Sequence, residues 1–565
     1  MKLTQGTSLN SSMGSHFIDH VIKKSMEGLS SDKYAVLDDH THPHHEVTLC
    51  QMTLFVIYVG VTFLYAVRAP RSFVRGKQDE PEPDVERTRD TKPVTNHVAV
   101  EVKDANDSNV VKESEKASVQ TPKRPPPPPP PTFDAFLKCI IVFGAIMGYY
   151  FLCDYIKVFP AEPRVYSRDT FLFLVFLLFL VACVFTIRPT KDIILNREQT
   201  EEWKGWMQVM FVWYHYFAAK EWYNWIRVYI ACYVWMTGFG NFSFFWVRKD
   251  FSLWRIIKMM FRLNFLVIFV VMTTNNEYML YYICAMHTYW FITVYVFMRV
   301  LNSWNQNRIK MAVKFAAYII CNALIFEISG ACSTLFRPLW FIFGLHETKH
   351  DIMHEWEFRA GLDHWACLTG MLCAYNYPYF EALLKRLEKE ANSRREKYTQ
   401  IGVKIIMIVV ALAVGVLWYT TFMRKDKYAY NRTHCYSSMI PILVFIVLRN
   451  CFPVLRRHYI HMFAWLGKIT LETYLSQLHI YLQSNAKDLL GYLVDQPLLN
   501  FALATIIYLL VSYMLFHLTT EFSSFLIPKD LSVVSKYAVT GAIVVAVAAA
   551  VAFGIQVSLG GHILV

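Results

Sequence analysis

The sequence predicts an all-α polytopic membrane protein with about 14 transmembrane helices. Three observations carry that expectation. Hydrophobic residues make up 55% of the 565-residue chain and aromatics 16%, with a mean hydropathy of +0.28, a balance a soluble protein of this length does not need. Apolar windows of about 20 residues without breakers recur along the chain. The formal charge of +12 is that of a membrane protein with cationic cytosolic loops, so membrane lipid is the expected partner and nucleic acid is not.

The chain divides into four parts. Residues 1–47 are a polar segment, expected on the lumenal side, containing the His-rich run Asp39-His40-Thr41-His42-Pro43-His44-His45. That run lacks metal-ligand spacing, so no metal is expected. Residues 48–67 form a first span. Residues 68–132 mix both charge signs, have few aromatics and end in Pro125–Pro131, which reads as a disordered cytosolic linker closing in polyproline II. From 133 to 565 the chain is nearly continuous membrane. Expected spans are 134–153, 169–187, 205–219, 225–246, 262–274, 279–298, 311–329, 361–377, 402–421, 437–451, 462–483, 498–518 and 534–556.

Basic residues set the orientation. Arg68, Arg71, Arg75 and Lys77 follow the first span, Arg248 to Arg262 precede the sixth, Lys385 to Lys397 follow the ninth, and Arg449, Arg456 and Arg457 precede the twelfth. With alternating spans these all fall on one side, taken as cytosolic. The sequon Asn431-Arg432-Thr433 falls on the other, so Asn431 is a candidate glycosylation site. The neighbouring loop Met423–Arg432 is basic although placed on the lumenal side, which runs against the rule. Twelve cysteines are scattered without a C-x-x-C pair; Cys332 and Cys435, in lumenal loops, are the one candidate disulfide.

Leu195–Ala219 concentrates the chemistry. It opens on Arg197, Glu198, Glu201, Glu202 and Lys204 and continues apolar and aromatic, broken by Gln208 and His215. Ionisable groups at membrane depth are costly and therefore functional candidates. Lys204 and His215 are eleven residues apart, within roughly 20° of whole helical turns and about 16 Å along the axis. Lys468 and His479 repeat that spacing in Phe463–Ser484, with Glu472 on their face. The candidate catalytic residues are His215 and His479 as proton acceptors, with Glu202 and Glu472 as carboxylate partners. Glu201, His287, Glu355, Arg359, Asp363 and His364 are possible contributors. Arg197, Lys204, Arg255, Arg262 and Lys468 would suit the phosphates of an acyl carrier such as coenzyme A. Each feature also has a plainer reading. A lone intramembrane histidine is as often a packing residue, Arg248–Arg262 serves equally as a topology signal, and Gly238 and Gly240 suit close helix packing. The repeated spacing tips the balance toward function.

Several long strings also resemble a known family. LNREQTEEWKGWMQ (Leu195–Gln208), WYHYFAA (Trp213–Ala219), IRVYIACYVWMTGFGNFSFF (Ile226–Phe245), RLNFLVIF (Arg262–Phe269), HEWEFRAGLDHW (His354–Trp365) and FAWLGKITLETYLSQLHIYLQSNA (Phe463–Ala486) are similar to multi-span glycan O-acetyltransferases. That family includes plant reduced wall acetylation proteins, fungal capsule acetylation proteins and animal sialate O-acetyltransferase. The resemblance covers about 134–530, and Asn275–Thr288 looks nearest the plant-type branch. It implies a membrane-bound acyltransferase domain over 133–565 and a Golgi-membrane enzyme that uses cytosolic acetyl-CoA to O-acetylate a lumenal glycan acceptor. Animal and fungal members carry a lumenal serine-hydrolase-type domain ending in an Asp-x-x-His block. Asp39-His40-Thr41-His42 has that spacing, but no serine block precedes it. The expectation is a plant-like chain serving a separate lumenal serine-type acetyltransferase, or an incomplete sequence. A transporter of acetyl-CoA or another acyl donor is the alternative.

Overall fold

A computed structural model describes residues 47–76, 132–339, 352–483 and 486–559. The His-rich run and Pro125–Pro131 lie outside the described residues. Helix dominates. Among the described residues nine helices are long and apolar enough to cross a membrane, or ten if one bent pair is a single span.

The outer helices are the simplest. α1 (Leu49–Gly76), α2 (Phe133–Tyr150), α3 (Arg168–Phe185), α6 (Leu253–Thr274), α7 (Tyr282–Arg299), α8 (Arg308–Phe326), α12 (Arg394–Trp418), α18 (Pro497–Leu526) and α19 (Leu531–Ser558) carry the qualifying windows. Of the windows in α1, α3, α12 and α19 only 11% is buried, so these helices lie at the periphery of the bundle with an outward apolar face suited to lipid. α13 (Lys427–Ser437) and α14 (Met439–Cys451) meet at 60° and form the bent pair.

The other expected passages fall on α4 (Arg197–Tyr216), α5 (Tyr223–Arg248), α11 (His364–Glu388), and the pair α16 (His461–Lys468) and α17 (Thr470–Ile480). The first three are too polar to qualify, and α16 and α17 are too short at 8 and 11 residues, so a count of fourteen is not established. They form the interior, where other helices rather than lipid surround them. Their packing rests on small residues, the usual device when lipid removes the hydrophobic drive between helices. A Cβ added at Gly205 of α4 would lie 1.8 Å from the Phe463 carbonyl oxygen, and one at Gly467 of α16 would lie 1.9 Å from that of Glu201. α5 and α11 repeat the arrangement, Gly238 against Cys367 and Gly370 against Trp235. Gly238 thus serves close packing; Gly240 faces open space.

Three sequence expectations need correction. The short span 262–274 is the inner part of α6, which starts at Leu253 behind the Ser252 cap, so Arg255, Lys258 and Arg262 lie within the first three turns rather than in a loop. They are tolerated there because their stems lie along apolar surface and their charges sit over the rings of Phe244, Trp254 and Phe516. The span 462–483 is not one helix. It breaks at Ile469 (φ −106°, ψ 21°), where Gly467 is pressed on α4 and two β-branched residues follow, a poor sequence for continuing a helix. The face shared by Lys468 and His479 is therefore lost. Asn431 and Cys435 lie on α13 instead of in a loop, and Cys332 and Cys435 are both free thiols, Cys332 being buried.

Short strands tie the ends together. β2 (Ile187–Pro189) pairs antiparallel with β3 (His458–Ile460), fastening the end of α3 to the start of α16. β1 (Ala161–Glu162), β5 (Asp488–Leu490) and β4 (Leu482–Gln483) form a three-stranded sheet at the opposite pole. The helix directions place the basic segments, including Arg197, Arg248, Arg456 and Lys468, at one pole. The ends of α4 and α17 lie at the other.

Candidate active site

α4 starts at the basic pole. Asn196 caps it, its side-chain oxygen accepting from the Gln199 amide at 2.8 Å. In the first turns Glu201 gathers the cations: Lys204 Nζ is 2.6 Å away and Arg197 Nε 3.7 Å. Lys468 is exposed and follows Gly467, which touches the Glu201 backbone. Arg197, Glu201 and Lys204 thus form a chain of ion pairs over the first turns of α4, with Lys468 at the same pole. Lys204 is held further by Tyr233, whose hydroxyl donates to its carbonyl at 2.6 Å.

The two acidic candidates lie elsewhere than expected. Glu202 accepts from the Ile460 amide at 2.9 Å and pairs with Arg449 at 3.3 Å, bracing α4 against the loop that leads into α16. It is thirteen residues from His215, about 20 Å along the helix, so it cannot fix that imidazole. Glu472 is fully buried and takes both terminal nitrogens of Arg262, Nη2 at 3.0 Å, with Thr519 donating to it at 3.1 Å. It stands seven residues from His479, about 10 Å along α17. Arg262 is therefore bound to a carboxylate within the bundle, and Arg255 lies 4.0 Å over the Phe244 ring; neither joins the Lys204 group.

The two histidines differ. His479 is fully buried with both nitrogens occupied: Nδ1 is 3.0 Å from Asp154 and Nε2 2.8 Å from the Tyr281 hydroxyl. A carboxylate only accepts, so Nδ1 carries the proton and Nε2 accepts from Tyr281. Asn276 donates to the same Asp154 oxygen at 3.1 Å. Asp154 reaches this place because α2 widens into a π turn, Phe151–Tyr155, just where it passes α17. Sequence reasoning missed Asp154 and Tyr281. The only signal was an acidic residue, Asp154, at the end of an apolar window.

His215 keeps part of its surface accessible although it lies among interior helices. Its Nδ1 is buried and faces the Gln477 side chain of α17 and the Phe211 carbonyl, without reaching ideal hydrogen-bond geometry to either. The His215 ring meets Phe211 edge to face at 4.5 Å. Four residues and seven residues back along α4 are Phe211 and Gln208, the latter also with an unbonded Nε2. α4 thus presents Lys204, Gln208 and His215 as a row of polar groups along the interior.

Of the remaining candidates, Asp363 joins a buried knot of residues the sequence did not single out, and the others form separate pairs. Arg227 Nη2 is 3.0 Å from Asp363, whose other oxygen is 3.2 Å from His434, and His434 Nδ1 is 3.0 Å from the Tyr430 hydroxyl. All three charged or imidazole groups are buried. His364 pairs with Glu327 at 3.0 Å, Arg359 with Glu355 at 2.8 Å, and His287 with Thr237 at 2.7 Å. Asn431 exchanges hydrogen bonds with Tyr223 at 3.0 and 3.2 Å. Among the described residues no His, Cys, Asp and Glu group is arranged to hold a metal ion.

Residues 41–539 match the family described as the 10 TM acyl transferase domain found in Cas1p. The chain is 32% identical over 402 residues to the N-acetylneuraminate (7)9-O-acetyltransferase of Danio rerio, an overlap of 68% of this chain and 50% of that protein. The chain thus spans about half the length of the curated relative it matches. No solved structure matches it. The chain belongs to the multi-span glycan O-acetyltransferase family, whose shared part is this membrane acyltransferase domain.

Proposed function

We propose that this chain is a Golgi-membrane O-acetyltransferase that takes acetyl from cytosolic acetyl-CoA at the basic pole and supplies it to hydroxyls of a lumenal glycan. The observation that carries the reading is His215: a partly accessible imidazole in the last turn of α4, facing Gln477 and in line with Lys204 on one helix. A neutral imidazole nitrogen serves as a general base toward a hydroxyl. A sugar hydroxyl attacks the thioester carbonyl, the carbon–sulfur bond breaks, and His215 passes the hydroxyl proton to the departing thiolate. Lys204, with Arg197 and Lys468 at the same pole, attracts the phosphates of the donor. Glu201 holds Lys204 and sets its position. His479, with both nitrogens engaged, positions α17 and Gln477 rather than taking the proton.

The name of the relative points to a sugar hydroxyl as acceptor. A separate lumenal serine-type acetyltransferase is a partner that could complete delivery. The experiment uses purified protein in sealed vesicles, with acetyl-CoA labelled on the acetyl group or on the nucleotide. The reading expects acetyl label on protein or enclosed sugar and nucleotide label left outside. Entry of both labels together would overturn it in favour of donor transport.

A further inference from the structure

A crevice of about 680 Å³ lies between α1, α2 and the end of α6. Its walls are three helices that qualify as membrane spans, and its lining is almost wholly apolar. Two glycines one turn apart set its shape. At Gly144 an added Cβ would lie 2.3 Å from the Tyr58 ring, so α1 is seated directly on α2 there. At Gly148 nothing lies within 4 Å, and the helices part. The open side is bordered by Phe55, Ala145, Gly148 and Leu152, all exposed and all without a polar side chain.

We propose that this crevice seats one acyl chain of a bilayer lipid, drawn from the leaflet at the pole opposite the basic segments. Its length fits. The lining on α2 runs from Ile140 to Tyr149, about 14 Å of helix, or roughly half of the ~30 Å hydrocarbon core. Its position fits as well, because the lined parts are the first half of α1, the second half of α2 and the end of α6, all at that pole. At membrane depth an apolar cleft open to the bilayer is in reach of lipid chains, and an unfilled wall would lose its dispersion contacts. The polar end offers little to a headgroup: the Gln51 amide donates to the Thr273 carbonyl at 2.8 Å, its oxygen accepts from the Thr48 amide at 2.9 Å, and the Thr273 hydroxyl, without a partner among the described residues, is buried. The seat therefore selects a chain and is indifferent to the headgroup. Phe151 and Leu152, on its wall, belong to the π turn that delivers Asp154 to His479, so the chain lies against the back of that segment.

The test is photolabelling of the full chain in vesicles containing phosphatidylcholine with a diazirine on one acyl chain. Labelling should concentrate in 47–58 and 140–152, and phosphatidylethanolamine carrying the same chain should label equally. Gly148→Trp, and independently Ala145→Trp, should cut that labelling about tenfold without lowering the unfolding temperature. Labelling spread evenly over exposed α3 and α12, or unchanged in both folded variants, would overturn the proposal. So would labelling that appears only after residues 1–46 are removed, which would make that segment the occupant.

Discussion

The tight crossing of α4 and α16 makes a prediction whose sign is opposite to the usual effect of glycine replacement. In a helix interior Gly→Ala normally gains about 1 kcal/mol. At Gly205 the new methyl carbon would lie 1.8 Å from the Phe463 carbonyl oxygen and 2.6 Å from its carbon. Ordinary contact begins at 3.4 Å, so the helices must separate by about 1.6 Å. Both obstructing atoms are backbone, so no side chain can swing away. Overpacking of this kind costs about 3 kcal/mol, the upper end of the usual range, leaving Gly205→Ala about 2 kcal/mol less stable after the propensity gain. α16 leads directly into α17, which carries Gln477 and His479, and a displacement beyond 1 Å costs on the order of 100-fold in rate. Gly467→Ala meets the Glu201 carbonyl at 1.9 Å and should behave alike. Gly240→Ala, with nothing within 4 Å, should be neutral to stabilising. Thermal unfolding in one detergent, with acetyl transfer normalised to folded protein, measures all three. If Gly205→Ala unfolds at or above the wild-type temperature, the close crossing is not what holds the interior together.

His215→Ala should lower acetyl transfer by about 10²–10⁴-fold with unfolding unchanged; full activity at normal protein level would remove its role. His479→Ala should act on stability first, by about 1–3 kcal/mol, because it strands Asp154 beside Tyr281, and an unchanged unfolding temperature would contradict that. Glu472→Gln should destabilise by about 3 kcal/mol and Arg262→Met in the same chain should recover part of it; simple additivity of the two would show that the pair does not act as a unit. At the basic pole burial raises the Asp192 and Glu388 carboxyls, but hydrogen bonds from Arg456 outweigh it, aided by Arg457 and Lys404 respectively, and both are held below their ordinary values of 3.8 and 4.5. Groups depressed in this way stabilise the fold above those values and lose the contribution as pH falls through the depressed ones. Unfolding temperature should therefore drop below about pH 4 by a step that Arg456→Met reduces, since Arg457 and Lys404 remain; an identical acid step in that variant would refute the assignment.

Much of the frame is legible in the sequence because lipid imposes one rule on every outer helix: apolar on all sides for about 20 residues. The windows at α1, α2, α3, α7 and α12 obey it. The interior helices were found through their exceptions, the charged opening of α4 and the histidine at its far end. What the sequence does not carry is which distant group meets which. Glu472 reads as a partner for His479 because it lies seven residues away, yet the carboxylate that reaches the imidazole is Asp154, 325 residues off. Arg262 reads as a free cation until Glu472 is placed against it. The repeated eleven-residue spacing held geometric meaning only where the helix was continuous, and at Ile469 it is not.

The same crossing sets a problem of timing during synthesis. α4 is too polar to settle alone in lipid, and the carbonyl against which Gly205 packs belongs to Phe463, 258 residues later. At roughly 5–20 residues per second the ribosome delivers that partner about 13–50 s after α4. α5 waits about half as long for α11. Until then the charged opening of α4 must stay at the membrane surface or be shielded by helices already inserted. Assembly of the interior is thus a late step, completed when α16 and α17 arrive. Changes that weaken this crossing should leave the outer helices inserted and the protein full length, but with α4 open to degradation.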